Sequence, residues 1–101
     1  MARRLQLQTI LERIIDNENV YFQPPESIKL NYPCIIYELS RHKSEFADNK
    51  LYLNKKQYTI TVIDRDPDSL IPDKLLSLSL ISFDRYYAAN NLNHYVFRLY
   101  F

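Results

Sequence analysis

Apolar residues near the start of the chain recur at the spacing of a helix. They follow an i, i+3, i+4, i+7 pattern, and polar residues fill the positions between them. This pattern predicts an amphipathic helix that ends near Asn17 or Asn19, since asparagine tolerates the backbone conformation that terminates helices. The predicted apolar stripe consists of Leu7, Ile10, Leu11 and Ile14, with Leu5 and Ile15 at its margins.

Two later segments have the pattern of β-strands. After Pro33, residues 34–39 form a nearly continuous apolar run, which predicts a strand buried on almost both faces. Residues 57–64 alternate between two sets of strand-favouring side chains and predict a second strand. Residues 20–22 predict only a short extended piece, which the prolines at 24–25 end because proline lacks the backbone N–H.

The C-terminal third predicts a short helix and then a hairpin. Ser69 is a candidate helix cap, and Pro72 suits the first turn of the helix. Residues 82–101 contain two aromatic-rich arms around the asparagines of residues 89–93, a pattern typical of a β-hairpin. The predicted apolar face of the helix consists of Leu75, Leu76 and Leu78. In the last arm, the residues expected to face the core are Tyr95, Phe97, Leu99 and Phe101, and those expected to face outwards are His94, Val96, Arg98 and Tyr100.

The predicted elements follow the order helix, strand, long connection, strand, helix, strand, strand. Short connections between the late strands favour antiparallel pairing. At 101 residues the chain is long enough to bury one core, and we expect a single domain over residues 1–101. We therefore predict an α+β fold, with a small and mostly antiparallel sheet and with the N-terminal helix and a second short helix packed on one face.

Glycine is absent from the chain, although it usually supplies about 7% of residues. Phosphate-binding loops of the Walker and dinucleotide types need glycine for close approach of the backbone, and the nucleophile elbow of hydrolases needs it as well. Turns that require a positive φ must use asparagine or aspartate instead. The candidates for such positions are Asn49, Asn54, Asn90, Asn91 and Asn93.

The sequence lacks the patterns of membrane and secreted proteins. No apolar run approaches the roughly 18 residues of a membrane-spanning helix, and the N-terminus lacks the apolar core of a secretion signal. Cys34 is the only cysteine, so it has no internal disulfide partner and fits a reducing compartment. We expect Cys34 to be a small buried apolar residue and the protein to be assembled in the cytoplasm.

Few residues follow a catalytic or metal-binding pattern. His42 and His94 have no partner at metal-ligand spacing. Asp64, Asp66 and Asp68 alternate after a strand, and carboxylates in such a run are able to bind Mg²⁺ or to begin a calcium loop. That loop also needs a glycine and a later glutamate, which are missing, so a turn leading into a helix is the favoured interpretation. We predict no catalytic residue, no cofactor, no metal site and no enzymatic activity.

Charge is unevenly distributed, although the net charge is only +1. Residues 40–56 have an excess of three positive charges, and residues 64–73 have an excess of three negative charges. The strand predicted between them separates the two groups by about 26 Å. Opposite charges at opposite ends suit head-to-tail contact between copies, and such contacts close into rings. The residues predicted at subunit or partner interfaces are Arg41, Lys43, Phe46, Lys50, Lys55, Lys56, Asp64, Asp66 and Asp68.

Residues 40–56 leave two other interpretations open. The segment is long for a connection, and long connections are usually functional or mobile. It is either a solvated loop or the contact surface of a small nucleic-acid-binding regulator, whose affinity for DNA would fall with added salt. The net charge of the chain is well short of that of a basic DNA-binding domain.

Four segments resemble the tail terminator, or tail completion, proteins of long-tailed bacteriophages. They are RLQLQTILERI, YFQPPESIKLNYPCIIYEL, YTITVIDRDPDSLIPDKLLSL and SFDRYYAANNLNHYVFRLYF, and they cover nearly the whole chain. The order of the predicted elements is also similar to that of these head–tail joining proteins. The resemblance includes no short catalytic or binding motif, so it assigns no role to an individual residue.

The resemblance implies a structural protein of the phage neck. Such a protein forms a ring, usually a hexamer, that ends polymerisation of the tail tube and joins the tail to the head connector. Its partners are therefore copies of itself, the tail tube protein and the connector or stopper protein. DNA only passes through the lumen, and no membrane takes part. The neighbouring alternative is a head-completion protein, which acts as a stopper at the connector.

Overall fold

The computed structural model describes residues 3–40 and 56–101, and these ranges contain two helices and five strands. The predicted strands at 34–39 and 57–64 are both confirmed with those boundaries. In chain order the elements are α1 Arg3–Ile15, β1 Val20–Phe22, β2 Cys34–Leu39, β3 Gln57–Asp64, α2 Ile71–Leu75, β4 Ile81–Ala89 and β5 Leu92–Tyr100.

The five strands form one mixed sheet in the order β1-β2-β3-β5-β4. The α+β class is confirmed, and the pairs β2–β3, β3–β5 and β4–β5 are antiparallel as expected. The pair β1–β2 is parallel, with Val20 opposite Ile35, so the sheet is mixed. The short extended piece at residues 20–22 is thus an edge strand, and the backbone N–H of Ile35 starts its pairing by donating to the carbonyl of Asn19 at 2.9 Å.

Both helices lie on the same face of the sheet and bury their apolar residues against it. Leu7 and Leu11 of α1 and Leu75 of α2 are fully buried, as the apolar patterns predict. They pack against alternate residues of the strands, including Ile60 of β3 and Phe97 of β5. A helix stripe and a pleated sheet face thereby form one core, and the opposite sheet face carries no described helix.

Positive φ angles occur at Asp16, Gln23, Leu80, Asn90 and Asn91. Asn90 and Asn91 confirm the predicted turn, and with φ of 54° and 62° they form a two-residue connection between β4 and β5. Asp16 ends α1, one residue before the predicted Asn17, because its φ of 62° stops the helix. Gln23 and Leu80 also have positive φ, and their residue types do not predict it.

Asn93 does not have the predicted positive φ, because it belongs to β5 opposite Ala88. Its side chain instead forms hydrogen bonds at the end of β3. The amide Nδ2 donates to the backbone carbonyls of Asp64 and Arg65 at 3.2 and 3.4 Å, which joins β5 to the end of β3. Asn49 and Asn54 lie outside the described residues.

Three apolar residues lie in surroundings that the sequence pattern does not predict. Val96 was expected to face outwards and does lie on the sheet face without helices, but it is 2% exposed. Its register neighbours, Thr61 and Arg85, lie on strands at both sides and cover this short side chain. Leu76 is 51% exposed although its backbone is still helical, because it follows the buried Leu75 directly and points about 100° away from it, whereas Leu78 packs against the core as predicted. Leu5, at the margin of the α1 stripe, is 47% exposed.

Candidate interaction surfaces

Asp64 is the last residue of β3, and Asp66 and Asp68 follow it in the next turn; we call these three residues the acidic end. Two of the carboxylates form Asx turns: Asp64 Oδ1 accepts from the backbone N–H of Asp66 at 3.0 Å, and Asp66 Oδ1 accepts from that of Asp68 at 2.9 Å. The Tyr95 hydroxyl donates to the carbonyl of Pro67 at 3.2 Å and anchors the turn to β5. These bonds confirm the interpretation of the run as a turn before a helix.

The charge of the acidic end affects its neighbour. Burial raises the pKa of Tyr95, and Tyr86 and the three aspartates raise it further because negative charge disfavours the phenolate. The described residues contain no group of three or more histidines, cysteines or carboxylates placed to hold a metal ion. The two Asx turns and the bond from Tyr95 make the acidic end an ordered segment of negative charge.

Arg3, Arg4 and Lys56 lie at the other end of the sheet, and we call them the basic end. Lys56 is exposed and pairs through its backbone with Phe101, whose N–H donates to the Lys56 carbonyl at 2.9 Å. The Arg3 guanidinium lies 4.7 Å from the centre of the Phe101 ring, a cation–π contact that places Arg3 beside Lys56. The first turn of α1 has no acidic residue to neutralise these cations.

Arg4 is held more firmly than the other two cations. Its guanidinium lies 4.6 Å from the centre of the Phe22 ring and donates to the Tyr37 hydroxyl at 3.4 Å. Burial raises the pKa of Tyr58, and Arg4 and Arg3 oppose that shift because positive charge favours the phenolate. The basic end thus combines the positive charge of Arg4, which is held by its contacts, with the exposed positive charge of Lys56.

The eight residues of β3 separate the two ends, which puts them about 26 Å apart. The prediction that Lys56 and the three aspartates lie at opposite ends of this strand is confirmed. Arg3 and Arg4 were not predicted at this site, because α1 and β3 lie far apart in the sequence. The other predicted interface residues lie outside the described ranges: Arg41, Lys43, Phe46, Lys50 and Lys55. Nucleic-acid binding by residues 40–56 stays a prediction.

The β4 strand is a third exposed surface, and it forms one edge of the sheet. Its aromatic residues are about half exposed: Phe83 by 51%, Tyr86 by 49% and Tyr87 by 42%. Each contacts a ring on β5, and Tyr87 stacks on His94 with centroids 4.6 Å apart. Exposed aromatic residues on a long edge strand are typical of protein-binding surfaces. The hairpin was predicted, but the exposure of its first arm was not.

The sheet face opposite the helices has a shallow polar groove of about 300 Å³. Glu38, Thr59 and Arg98 lie side by side across β2, β3 and β5. Asp84 accepts ion pairs from Arg85 at 3.4 Å and from Arg98 at 3.8 Å. Both arginines are about half exposed or more, so these pairs contribute little to stability.

Cys34 is fully buried in β2, as predicted. Burial raises the pKa of its thiol to about 12, and the nearby charge of Asp64 adds to the shift. A thiol with that pKa carries almost no thiolate at neutral pH, and Cys34 packs as a small apolar residue.

Comparison of the chain with models of protein families, with curated proteins and with solved structures gives no match. No helix within residues 3–40 and 56–101 is long and apolar enough to cross a membrane.

Proposed function

We propose that this protein is a structural assembly protein that binds copies of itself head to tail, and that it acts by binding and not by catalysis. The observation that supports this proposal most strongly is the opposition of charge at the two ends of β3. The acidic end carries Asp64, Asp66 and Asp68, and the basic end carries Arg3 and Lys56. Two complementary surfaces on opposite ends favour a heterologous contact between neighbouring copies.

A heterologous contact repeats from copy to copy until the rotation between them closes a ring. Together with the resemblance to tail terminator proteins, this supports a ring at the head–tail junction of a long-tailed bacteriophage. In that role the ring ends polymerisation of the tail tube and binds the head connector, and DNA passes through its lumen. The protein is then assembled in the host cytoplasm and resides in the virion neck.

A ring needs axial contacts as well as contacts between its own subunits. The β4 edge runs between the two charged ends, and its middle lies away from both, since Arg85 is opposite Val96 near the middle of the sheet. We assign the β4 edge to the tail tube or connector protein, because an exposed strand accepts a strand or an apolar surface of another chain.

Within residues 3–40 and 56–101, four side chains of types common in catalysis make structural contacts, and His42 lies outside these ranges. Cys34 is buried, His94 stacks under Tyr87, and the carboxylates of Asp64 and Asp66 accept backbone hydrogen bonds in their turns. Their contacts support a binding protein, since a nucleophile or general base must reach its substrate.

Electron microscopy of the purified protein at low ionic strength tests the proposal. We expect closed rings of uniform size with an open lumen, because salt screening is weak and the charged ends attract one another. Rings should become fewer as salt is added. Open filaments or compact particles without a lumen would contradict a role as a tail terminator.

A further inference from the structure

An apolar groove of about 310 Å³ opens at the basic end. It lies between α1, the segment after α2 and the end of β5. The residues that line it include Arg3, Leu7, Ile10, Leu78, Leu80 and Phe101.

The rim of this groove is positively charged. Arg3 lies over the ring of Phe101 at 4.7 Å, and Lys56 is joined to Phe101 by two backbone hydrogen bonds of 2.9 and 3.3 Å. The groove therefore combines apolar walls with the cation of Arg3, and Lys56 is the backbone neighbour of its lining residue Phe101. An apolar side chain that stands between carboxylates would complement it.

Leu70 is such a side chain, and it belongs to this same protein. It is 66% exposed, more than any other large apolar residue in the described ranges. Asp68 and Asp73 flank it, and both are exposed. Burying a leucine is favourable, so a leucine at this exposure is available to a partner.

The backbone around Leu70 is well fixed. Leu70 is the cap residue of α2, and the Ser69 hydroxyl accepts a bond from the N–H of Ile71 at 3.3 Å. The Asx turns of the acidic end precede it, and Pro72 lies in the first helical turn. An ordered segment loses little conformational entropy on binding, which favours its use as a contact.

Leu70 precedes α2, and the groove begins beyond the helix at Leu78. Helical backbone bonds continue from α2 to Leu78, so Leu78 lies about 12 Å from Leu70, which is further than a leucine side chain reaches. The chain passes from the acidic end through α2 to Leu80, whose carbonyl accepts from the N–H of Tyr100 at 3.1 Å beside the groove. One copy therefore cannot fill its own groove with Leu70. The contact has to join two copies, and it is heterologous because the two surfaces differ.

We propose that Leu70 of one copy inserts into the groove of the next copy. Asp68 and Asp73 then face Arg3 and Lys56 across the contact. The inference rests on the proposed self-association and names the contact by which it occurs. A groove of about 310 Å³ has room for one leucine side chain and for the backbone that presents it.

Cross-linking between variants that each carry one introduced cysteine tests the contact directly. Leu70→Cys and Ser79→Cys are mixed under a mild oxidant, since Ser79 lines the groove and is exposed. The native Cys34 is buried and stays out of the reaction. We expect a disulfide between residues 70 and 79 of different copies, identified by mass spectrometry of the linked peptides. Leu76→Cys is the matched control because Leu76 is another exposed leucine, and it should not link to residue 79.

A second measurement compares Leu70→Asp with Leu76→Asp by sedimentation velocity. Leu70→Asp should weaken self-association about ten- to hundredfold, the effect of losing one buried leucine, and Leu76→Asp should leave it unchanged. Equal effects of the two variants, or oligomers without a 70–79 link, would overturn this contact while leaving self-association in place. A protein that stays monomeric would overturn the contact and the proposed function together.

Discussion

Phe97→Ala is expected to lower the free energy of unfolding by about 3–5 kcal/mol, a large share of the stability of a small domain. Phe97 is fully buried at the centre of β5. It lies between Ile60 of β3 and Phe83 of β4, and it belongs to the core that both helices cover. Truncation removes the ring and leaves a cavity that the surrounding strands are unable to close. Urea denaturation followed by circular dichroism measures the loss.

Phe83→Ala is the matched control for this substitution. Phe83 contacts Phe97 with ring centroids 5.4 Å apart, but it is 51% exposed on the β4 edge. Its truncation should cost less than about 1.5 kcal/mol, since it removes an aromatic contact and little buried area. Equal losses for the two variants would contradict the exposed position of β4.

Lys56→Glu is expected to weaken self-association by at least about tenfold, because it places negative charge opposite the acidic end of the neighbouring copy. Asp68→Lys should have a similar effect, since it places positive charge opposite the basic end. Both residues are exposed, and neither change removes a described side-chain hydrogen bond. Sedimentation velocity at low salt measures the change in association.

The combination of Lys56→Glu and Asp68→Lys is the decisive test of this pairing. The exchanged charges attract again, so the double variant should recover association that each single variant has lost. Arg85→Glu serves as the control, because Arg85 is an exposed cation near the middle of β4, away from both ends. Additive losses in the double variant would show that the two residues do not meet.

The strongest periodic patterns identify their elements well. The helical spacing of Leu7 and Leu11 predicts α1 and its buried stripe, and the two central strands are found at the predicted boundaries. The three residues of β1 are too few to show a period, and their parallel partner lies 15 positions further along the chain. Only the assembled sheet shows that β1 pairs with β2.

Backbone conformation is less predictable where tertiary packing decides it. Asparagine at 90 and 91 is a local signal for positive φ, and the turn uses both residues. Gln23 and Leu80 also have positive φ, at 44° and 59°, although neither residue type favours it. Leu80 lies at the entrance to β4, where its carbonyl bonds to Tyr100, so sheet pairing outweighs the local preference.

The candidate interaction surfaces are also predictable from the sequence only in part. The run of Asp64, Asp66 and Asp68 is visible in the sequence, and so is its separation from Lys56 by one strand. The groove is not visible, because α1, the segment after α2 and the end of β5 form it only when the chain is folded. An exposed leucine such as Leu70 has the same local pattern as a buried one, so burial has to be measured in the structure.

We propose that this protein binds copies of itself head to tail and closes a ring, and native mass spectrometry across a range of concentrations tests this self-association most directly. At low ionic strength we predict one closed oligomer, a hexamer if the resemblance to tail terminators holds, that dissociates as salt is added. Because a closed ring satisfies both charged ends of every subunit, larger species should not accumulate. A monomer at every concentration and salt condition would contradict the claim.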